Sequence, residues 1–216
     1  MNKPGLAERI ALTSLVLGQG VKRLRRGLAA PLRLASVWRA PAPDRLIIAP
    51  QDLRTADPTI ADDIYGGYFV FHGKAVNTHG ESPFLIEPPS PAWSEALLGF
   101  GWLRHLRSAD TMLARANARA LVRDWMNLHG VPPGGDPAGR QAQEAGWSAD
   151  VTARRVLAWI SHSPLILDGA DRAFYRRFMK SLARQSAWLS RALLGGLEGE
   201  ARLFAASALA EFAICA

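Results

Sequence analysis

Apolar side chains recur every three or four residues through most of the chain after residue 90, and this spacing predicts amphipathic helices. Ser90 followed by Pro91 is a favoured helix start, because serine caps free backbone N–H groups and proline suits the first helical position. Glycine and proline separate the segments. The predicted helices run from Ser90 to about Ser108, from Asp110 to about Leu128, from Ser148 to Pro164, from Asp171 to Gly195 and from Glu200 onward.

Residues 43–89 have a different pattern, in which short apolar runs alternate with glycine and proline. Three of these runs have the length and composition of strands, namely Leu46–Ile48, Tyr68–Phe71 and Phe84–Ile86. We therefore expect two or three short strands joined by irregular loops. Such a unit is too small to form a core of its own.

Residues 5–29 predict one amphipathic helix whose apolar positions include Ile10, Leu17 and Leu24 and whose end carries a basic cluster at residues 22–26. Two interpretations are open. The segment is either an arm that binds a membrane surface or another anionic partner, or a helix docked on the body with its arginines in solvent. Prolines after residue 40 end it, and the chain divides into residues 1–42, 43–89 and 90–216.

The last predicted helix is apolar on nearly every side, since its polar residues from Ala201 to Ala216 are Arg202, Ser207 and Glu211. A helix of this kind needs neighbours all round. The chain ends without a C-cap or a polar tail, so the pattern favours a truncated protein. The alternative is a domain in which the terminal helix is simply central.

Charge is concentrated at the N-terminus of this 216-residue chain. The formal net charge is +7, and nine basic and two acidic residues within positions 1–50 account for all of it. The arm carries a single aromatic residue, Trp38, which is a poor pattern for nucleic-acid binding. The apolar stretch near residue 10 leads into basic residues rather than a signal-peptidase site, so the sequence favours a cytoplasmic or membrane-peripheral protein.

The sequence contains no motif for a cofactor, a metal or a common catalytic nucleophile. A single cysteine, Cys215, excludes a disulfide framework and a CxxC zinc site. The patterns GxSxG, HExxH, the P-loop and the dinucleotide-binding glycine motif are absent. We predict no cofactor and no metal, and assign no catalytic residue.

Four residues are candidates for binding a substrate: Trp147, Arg155, His162 and His105. Thr152, Arg155, Trp159 and His162 follow one another at helical spacing, which predicts a shared face separate from the apolar one. Guanidinium groups pair with carboxylates and indole rings stack on sugars, so this face suits an anionic sugar. The alternative is that Trp147 and Trp159 are core anchors and that Arg155 pairs with a carboxylate. His105 suits a base or ligand, or a partly buried structural imidazole.

Four blocks resemble, in order and spacing, the N-terminal half of the heparinase II/III-like proteins, and the resemblance covers about residues 43–216. The blocks are Asp44–Ile48, Gly66–Gly73, Pro91–Leu106 around Phe100-Gly101-Trp102-Leu103, and Gly146–Ile160. The resemblance implies a mainly α fold, an incomplete (α/α) toroid of helical hairpins preceded by the basic helix and the short strands. A β-sandwich would follow the toroid.

The resemblance also implies a polysaccharide lyase, often periplasmic, that cleaves beside a uronic acid by β-elimination. The family's tyrosine and histidine would lie beyond residue 216, and its Asn-His pair is replaced here by Leu197–Arg202. We therefore expect an N-terminal fragment that is inactive alone and whose partner is an anionic polysaccharide. The alternative is a non-catalytic helical module that binds an anionic glycan or a membrane surface through its basic arm.

Overall fold

The structure, a computed structural model, describes residues 42–133 and 146–216, and within these ranges it contains eight helices and two strands. In chain order they are α1 (Thr59–Tyr65), β1 (Tyr68–Phe71), β2 (Lys74–Asn77), α2 (Pro91–Leu98), α3 (Leu103–Ala109), α4 (Met112–Leu128), α5 (Ala149–Ser161), α6 (Ser163–Leu167), α7 (Arg172–Leu194) and α8 (Gly199–Cys215). The predicted mainly α class is confirmed. The toroid remains a prediction, and the helix predicted at residues 5–29 lies outside the described residues.

Side-chain caps start three of these helices. The hydroxyl of Ser90 accepts a hydrogen bond from the backbone N–H of Trp93 at the start of α2, and Thr111 caps α4 in the same way. The carboxylate of Asp171 accepts from Phe174 N–H, 2.8 Å away, at the start of α7. The helix starts predicted at Ser90 and Asp171 are therefore confirmed, and each follows from capping of free backbone donors.

The two strands form an antiparallel hairpin in which Tyr68 pairs with Asn77 and Phe71 with Lys74. His72 and Gly73 make the turn with positive φ angles, as a tight two-residue hairpin turn requires. The strand predicted at Tyr68–Phe71 is confirmed, and its partner β2 was missed because only one of its four residues is large and apolar. The strands predicted at Leu46–Ile48 and Phe84–Ile86 are wrong. Both lie outside the sheet, and the N–H of Ile47 instead donates to the carbonyl of Cys215.

The single helix predicted from Ser90 to Ser108 is interrupted after Leu98. Phe100 has a φ of 57°, a left-handed conformation that ends α2, and its side chain is fully buried. Its ring stacks on Phe84 and meets the edge of Trp159, with centroid distances of 5.6 and 5.5 Å. Aromatic packing therefore overrides the helical periodicity at this point.

Helix α5 lies at the centre of the core. It packs against α2, α6, α7 and α8, and most of its side chains are buried. The rings of Phe100, Trp125 and Phe178 pack against Trp159 of this helix, and Trp147 extends the aromatic cluster from Trp125 to Trp188. The same core includes Ile64, Phe69 and Phe84, so residues 43–89 share a core with residues 90–216.

Arg155 of α5 is a fully buried cation. Its guanidinium donates hydrogen bonds to Gln185 Oε1 at 2.7 Å, to the carbonyls of Leu98 and Gly146 at 3.0 and 2.8 Å, and to the hydroxyl of Thr152. It also lies 4.0 Å from the ring centroid of Trp125. No carboxylate of the described residues pairs with it, and burial lowers its pKa. The side chain joins the end of α2, the segment before α5, and α7.

Helix α8 packs against the other described residues on one side and is exposed on the other. Its buried residues are Ala205, Ala208 and Cys215, whereas Leu203 and Ile214 are about two thirds exposed (67% and 68%). The expectation that the earlier segments do not enclose this apolar helix is confirmed for residues 42–133 and 146–216. None of the helices in these ranges is both long enough and apolar enough to cross a membrane.

Replacing Arg155 with Ala is expected to lower the free energy of unfolding by about 3–5 kcal/mol, because the substitution leaves buried carbonyls unpaired and opens a cavity. Urea denaturation followed by tryptophan fluorescence measures this loss. The adjacent Arg154 is the matched control. Its side chain is 47% exposed and pairs with Asp150, so Arg154→Ala is expected to cost less than about 1 kcal/mol. Equal losses in the two variants would contradict a stabilising role for Arg155.

Candidate functional site

The predicted polar face of α5 is not exposed. Thr152, Arg155, Trp159 and His162 are each at most 1% exposed, and so is Trp147, so the predicted separation of this face from the apolar one is wrong. The reason is that α5 has packed neighbours on several sides. The alternative, that Trp147 and Trp159 are core anchors, is confirmed, but Arg155 pairs with the amide of Gln185 instead of a carboxylate.

Trp147 makes structural hydrogen bonds within this core. The indole N–H of Trp147 donates to the carbonyl of His129 at 2.7 Å, and the carbonyl of Trp147 accepts from the indole of Trp188 at 2.8 Å. Neither Trp147 nor Arg155 has a surface open to a ligand in this arrangement. Of the four candidates, His105 lines the main cleft and His162 lies behind its wall.

The main cleft has a volume of about 1160 Å³ and opens between residues 51–54, the β-hairpin, residues 99–105, α5 and α8. Its charged and hydrogen-bonding side chains are Gln51, Asp52, Arg54, Asp63, Tyr68, His72, Glu95, Arg104, His105, Asp150, Arg154, Ser161 and Glu211. The cleft therefore combines cations, carboxylates and imidazoles with an apolar wall from Phe69, Phe71 and Trp102.

Asp52 and Arg54 form a two-point ion pair on the cleft wall. Nε of Arg54 lies 2.9 Å from Oδ1 of Asp52, and Nη2 lies 2.6 Å from Oδ2. These hydrogen bonds hold the pKa of Asp52 well below its usual range, so the carboxylate is ionised at neutral pH. They also fix the guanidinium of Arg54, although 58% of that side chain is exposed.

His162 supports this pair from inside the protein. Its Nε2 lies 3.2 Å from Oδ2 of Asp52, within ion-pair distance, but neither ring nitrogen has a partner of hydrogen-bond geometry among the described residues. Burial lowers the pKa of His162 to about 4 and outweighs the opposite influence of Asp52. The imidazole is therefore neutral at pH 7.

Arg104 and His105 lie side by side at the start of α3. Arg104 donates from Nε to the carbonyl of Thr55 at 3.0 Å and from Nη1 to the carbonyl of Gly101 at 2.6 Å. Burial and the charge of Arg54 lower its pKa. The imidazole Nδ1 of His105 accepts from the N–H of Asp57 at 3.0 Å, and burial followed by the charge of Arg104 lowers its pKa.

Glu211 brings a second kind of carboxyl group to the cleft from α8. Burial raises its pKa, a hydrogen bond with Ser161 opposes this, and the charge of Asp52 adds to the rise. The cleft thus holds one carboxyl group that releases its proton readily and one that retains it more strongly. In the part of the chain that the structure describes, no three side chains of His, Cys, Asp or Glu are grouped as metal ligands.

Sequence reasoning missed Asp52, Arg54, Arg104 and Glu211. Arg104 lies next to the candidate residue His105, which is the one signal that pointed toward it. No protein-family model, curated protein or solved structure matches the chain. The resemblance to heparinase II/III-like proteins therefore rests on the four sequence blocks alone.

Lowering the pH from 7 to 5 is expected to destabilise the protein through His162. The folded-state pKa of His162 is about 4 and the ordinary value is 6.5, so the unfolded chain takes up a proton first as the pH falls. The free energy of unfolding is therefore highest well above pH 6.5, and it falls as the pH drops toward 4. At pH 5 the loss amounts to about 2 kcal/mol, and urea denaturation at both pH values measures it.

His162→Asn is the control, because it keeps a polar side chain without this titration. The other histidines remain in both proteins, so the difference between the two pH-dependent losses isolates His162. An equal loss in the variant and in the original protein would show that His162 is not the titrating group.

Proposed function

We propose that the chain is the N-terminal helical part of a heparinase II/III-like polysaccharide lyase, and that its cleft binds a uronic-acid-containing polysaccharide. The observation that carries the proposal is the arrangement of Arg54 and Arg104 beside His105 in the cleft. Guanidinium groups are the side chains best suited to pair with the carboxylate of a uronate. The mainly helical fold and the four resembling blocks agree with this assignment.

The size of the cleft supports an oligomeric ligand. Pockets for small molecules have volumes of about 300–1,000 Å³, and this cleft has a volume of about 1160 Å³. It is also partly open to solvent, so a ligand longer than one sugar has room to extend out of it.

The charges at the end of the cleft formed by Arg54 and Arg104 support an anionic ligand there. Asp52 is paired with Arg54, and Asp150 is paired with Arg154, so part of the negative charge on the lining is already compensated. Arg104 has no carboxylate within 4.0 Å among the described residues. A ligand carboxylate supplies that missing partner.

The proposed activity is β-elimination in the complete protein, with this chain alone inactive. That reaction needs a group to neutralise the uronate carboxylate, a base to remove the proton next to it and an acid for the leaving oxygen. Arg54 and Arg104 suit the first task. By the resemblance, the tyrosine and histidine for the other two come from a region C-terminal to residue 216.

The full chain is expected to bind an unsulfated hexasaccharide that contains uronic acids, called the hexuronate below, in isothermal titration calorimetry. Its affinity is expected to fall as salt is added, and no ultraviolet-absorbing unsaturated product is expected. The matched carboxyl-reduced hexasaccharide is expected to bind at least tenfold more weakly, because it cannot pair with the arginines. Equal binding of the two sugars would contradict the proposal, and product formation would contradict the inactivity of the chain alone.

A second variant separates the cleft from the basic arm. Replacing Lys22, Arg23, Arg25 and Arg26 with Gln in the full chain removes the basic cluster of the arm, four of the nine positive charges within positions 1–50, and leaves the residues of the cleft unchanged. Under the proposal, hexuronate binding persists within about threefold. Loss of binding would favour the non-catalytic module that acts through its arm.

A further inference from the structure

Two guanidinium groups converge over the backbone of Gly101. A Cβ atom placed on Gly101 would lie 3.2 Å from Nη1 of Arg54 and 3.5 Å from Nη1 of Arg104, so both cationic nitrogens lie close to the same point at the cleft wall. Gly101 does not have the positive φ that favours glycine. Space for the two guanidinium groups is therefore the local reason for a residue without a side chain here.

This convergence leaves positive charge uncompensated. Asp52 pairs with Nε and Nη2 of Arg54, and Nη1 of Arg54 makes no hydrogen bond within residues 42–133 and 146–216. Arg104 is bound by two backbone carbonyls, which carry no net charge. Two guanidinium charges thus face one carboxylate, and like charges at short range repel unless an anion joins them.

Both guanidinium groups are also held in place before any ligand arrives. Two contacts to Asp52 fix Arg54, and hydrogen bonds to Thr55 and Gly101 fix Arg104. Exposed arginines normally lose side-chain entropy when they bind a ligand. Prior fixation reduces that cost, which distinguishes this place from an ordinary basic surface.

We propose that Arg54 and Arg104 bind one oxyanion of the ligand above Gly101, and we name these three residues the Gly101 anion site. The identity of the ligand rests on the proposed function, under which the oxyanion is the carboxylate of a single uronate unit. The site therefore sets which sugar of the polysaccharide lies beside His105. A sulfate ester offers the same chemistry from another source, and the experiment distinguishes the two.

The test compares three single variants of the full chain. Arg104→Gln and Gly101→Ala each change the site, and Arg154→Gln is the matched control. Arg154 also lines the cleft but is paired with Asp150 and Glu200. The first two variants are expected to bind the unsulfated hexuronate at least tenfold more weakly, which corresponds to the loss of one charged hydrogen bond. Arg154→Gln is expected to stay within threefold. Circular dichroism and thermal unfolding check that each variant folds.

Side-chain NMR provides a readout that does not depend on the polysaccharide. The Nε–H signals of Arg54 and Arg104 are followed while sodium glucuronate or sodium sulfate is added to the folded protein. Both signals are expected to shift together with glucuronate, and Gly101→Ala is expected to abolish the joint shift. The signal of Arg154 serves as the internal reference.

The outcomes separate the Gly101 anion site from the proposed function. If the hexuronate binds but Arg104→Gln and Gly101→Ala bind it normally, the site is wrong and the proposed function stands. If the hexuronate does not bind but glucuronate shifts both arginine signals, the proposed function is wrong and the site stands. Joint shifts with sulfate alone would overturn the assignment to a carboxylate, and no shift with either anion would overturn the site itself.

Discussion

A buried positive charge without a carboxylate partner is the constraint on which the rest of the structure depends. The guanidinium of Arg155 must be satisfied by neutral acceptors and aromatic rings, since desolvation of an unpaired charge is very unfavourable. It finds them in Gln185, in the carbonyls of Leu98 and Gly146, and in the rings of Trp125 and Trp147. These acceptors belong to different parts of the chain, so satisfying one side chain fixes α2, the segment before α5, and α7 around a central helix.

The position of the cleft follows from the same constraint. The carbonyl of Leu98, held by Arg155, is the last one of α2, and the chain turns directly after it. Phe100 takes a left-handed conformation that places its ring in the core, and Gly101 then faces the cleft beside Arg54 and Arg104. A strained backbone at a bulky residue persists only where the surroundings determine it, and here the aromatic core does so. The packing of the aromatic core therefore determines where Arg54 and Arg104 lie on the wall of the cleft.

Local signals in the sequence predicted the helices well and the site poorly. The caps at Ser90 and Asp171 act within three residues, so the sequence shows them directly. The break at Phe100 depends on contacts with Phe84 and Trp159, which are distant in the chain, and helical periodicity alone does not reveal it. The pairing of β2 was hidden for a similar reason, since a weakly apolar strand is identified by its partner. Asp52 and Glu211 come together in the cleft from opposite ends of the described chain, and no spacing rule connects them.

Arg155 and Arg104 show why the residue type alone misdirects a functional interpretation. Both are arginines close to an aromatic and a histidine in sequence, and the sequence made Arg155, not Arg104, a candidate for ligand binding. The structure gives Arg155 a full set of partners and no exposed surface, so its binding capacity is used within the fold. Arg104 is fixed by two neutral carbonyls, lies in the cleft and has another guanidinium beside it. Its charge is therefore not compensated within the fold and is available to an anionic ligand. What distinguishes a structural cation from a binding one is the set of groups around it, and that set is assembled by tertiary contacts.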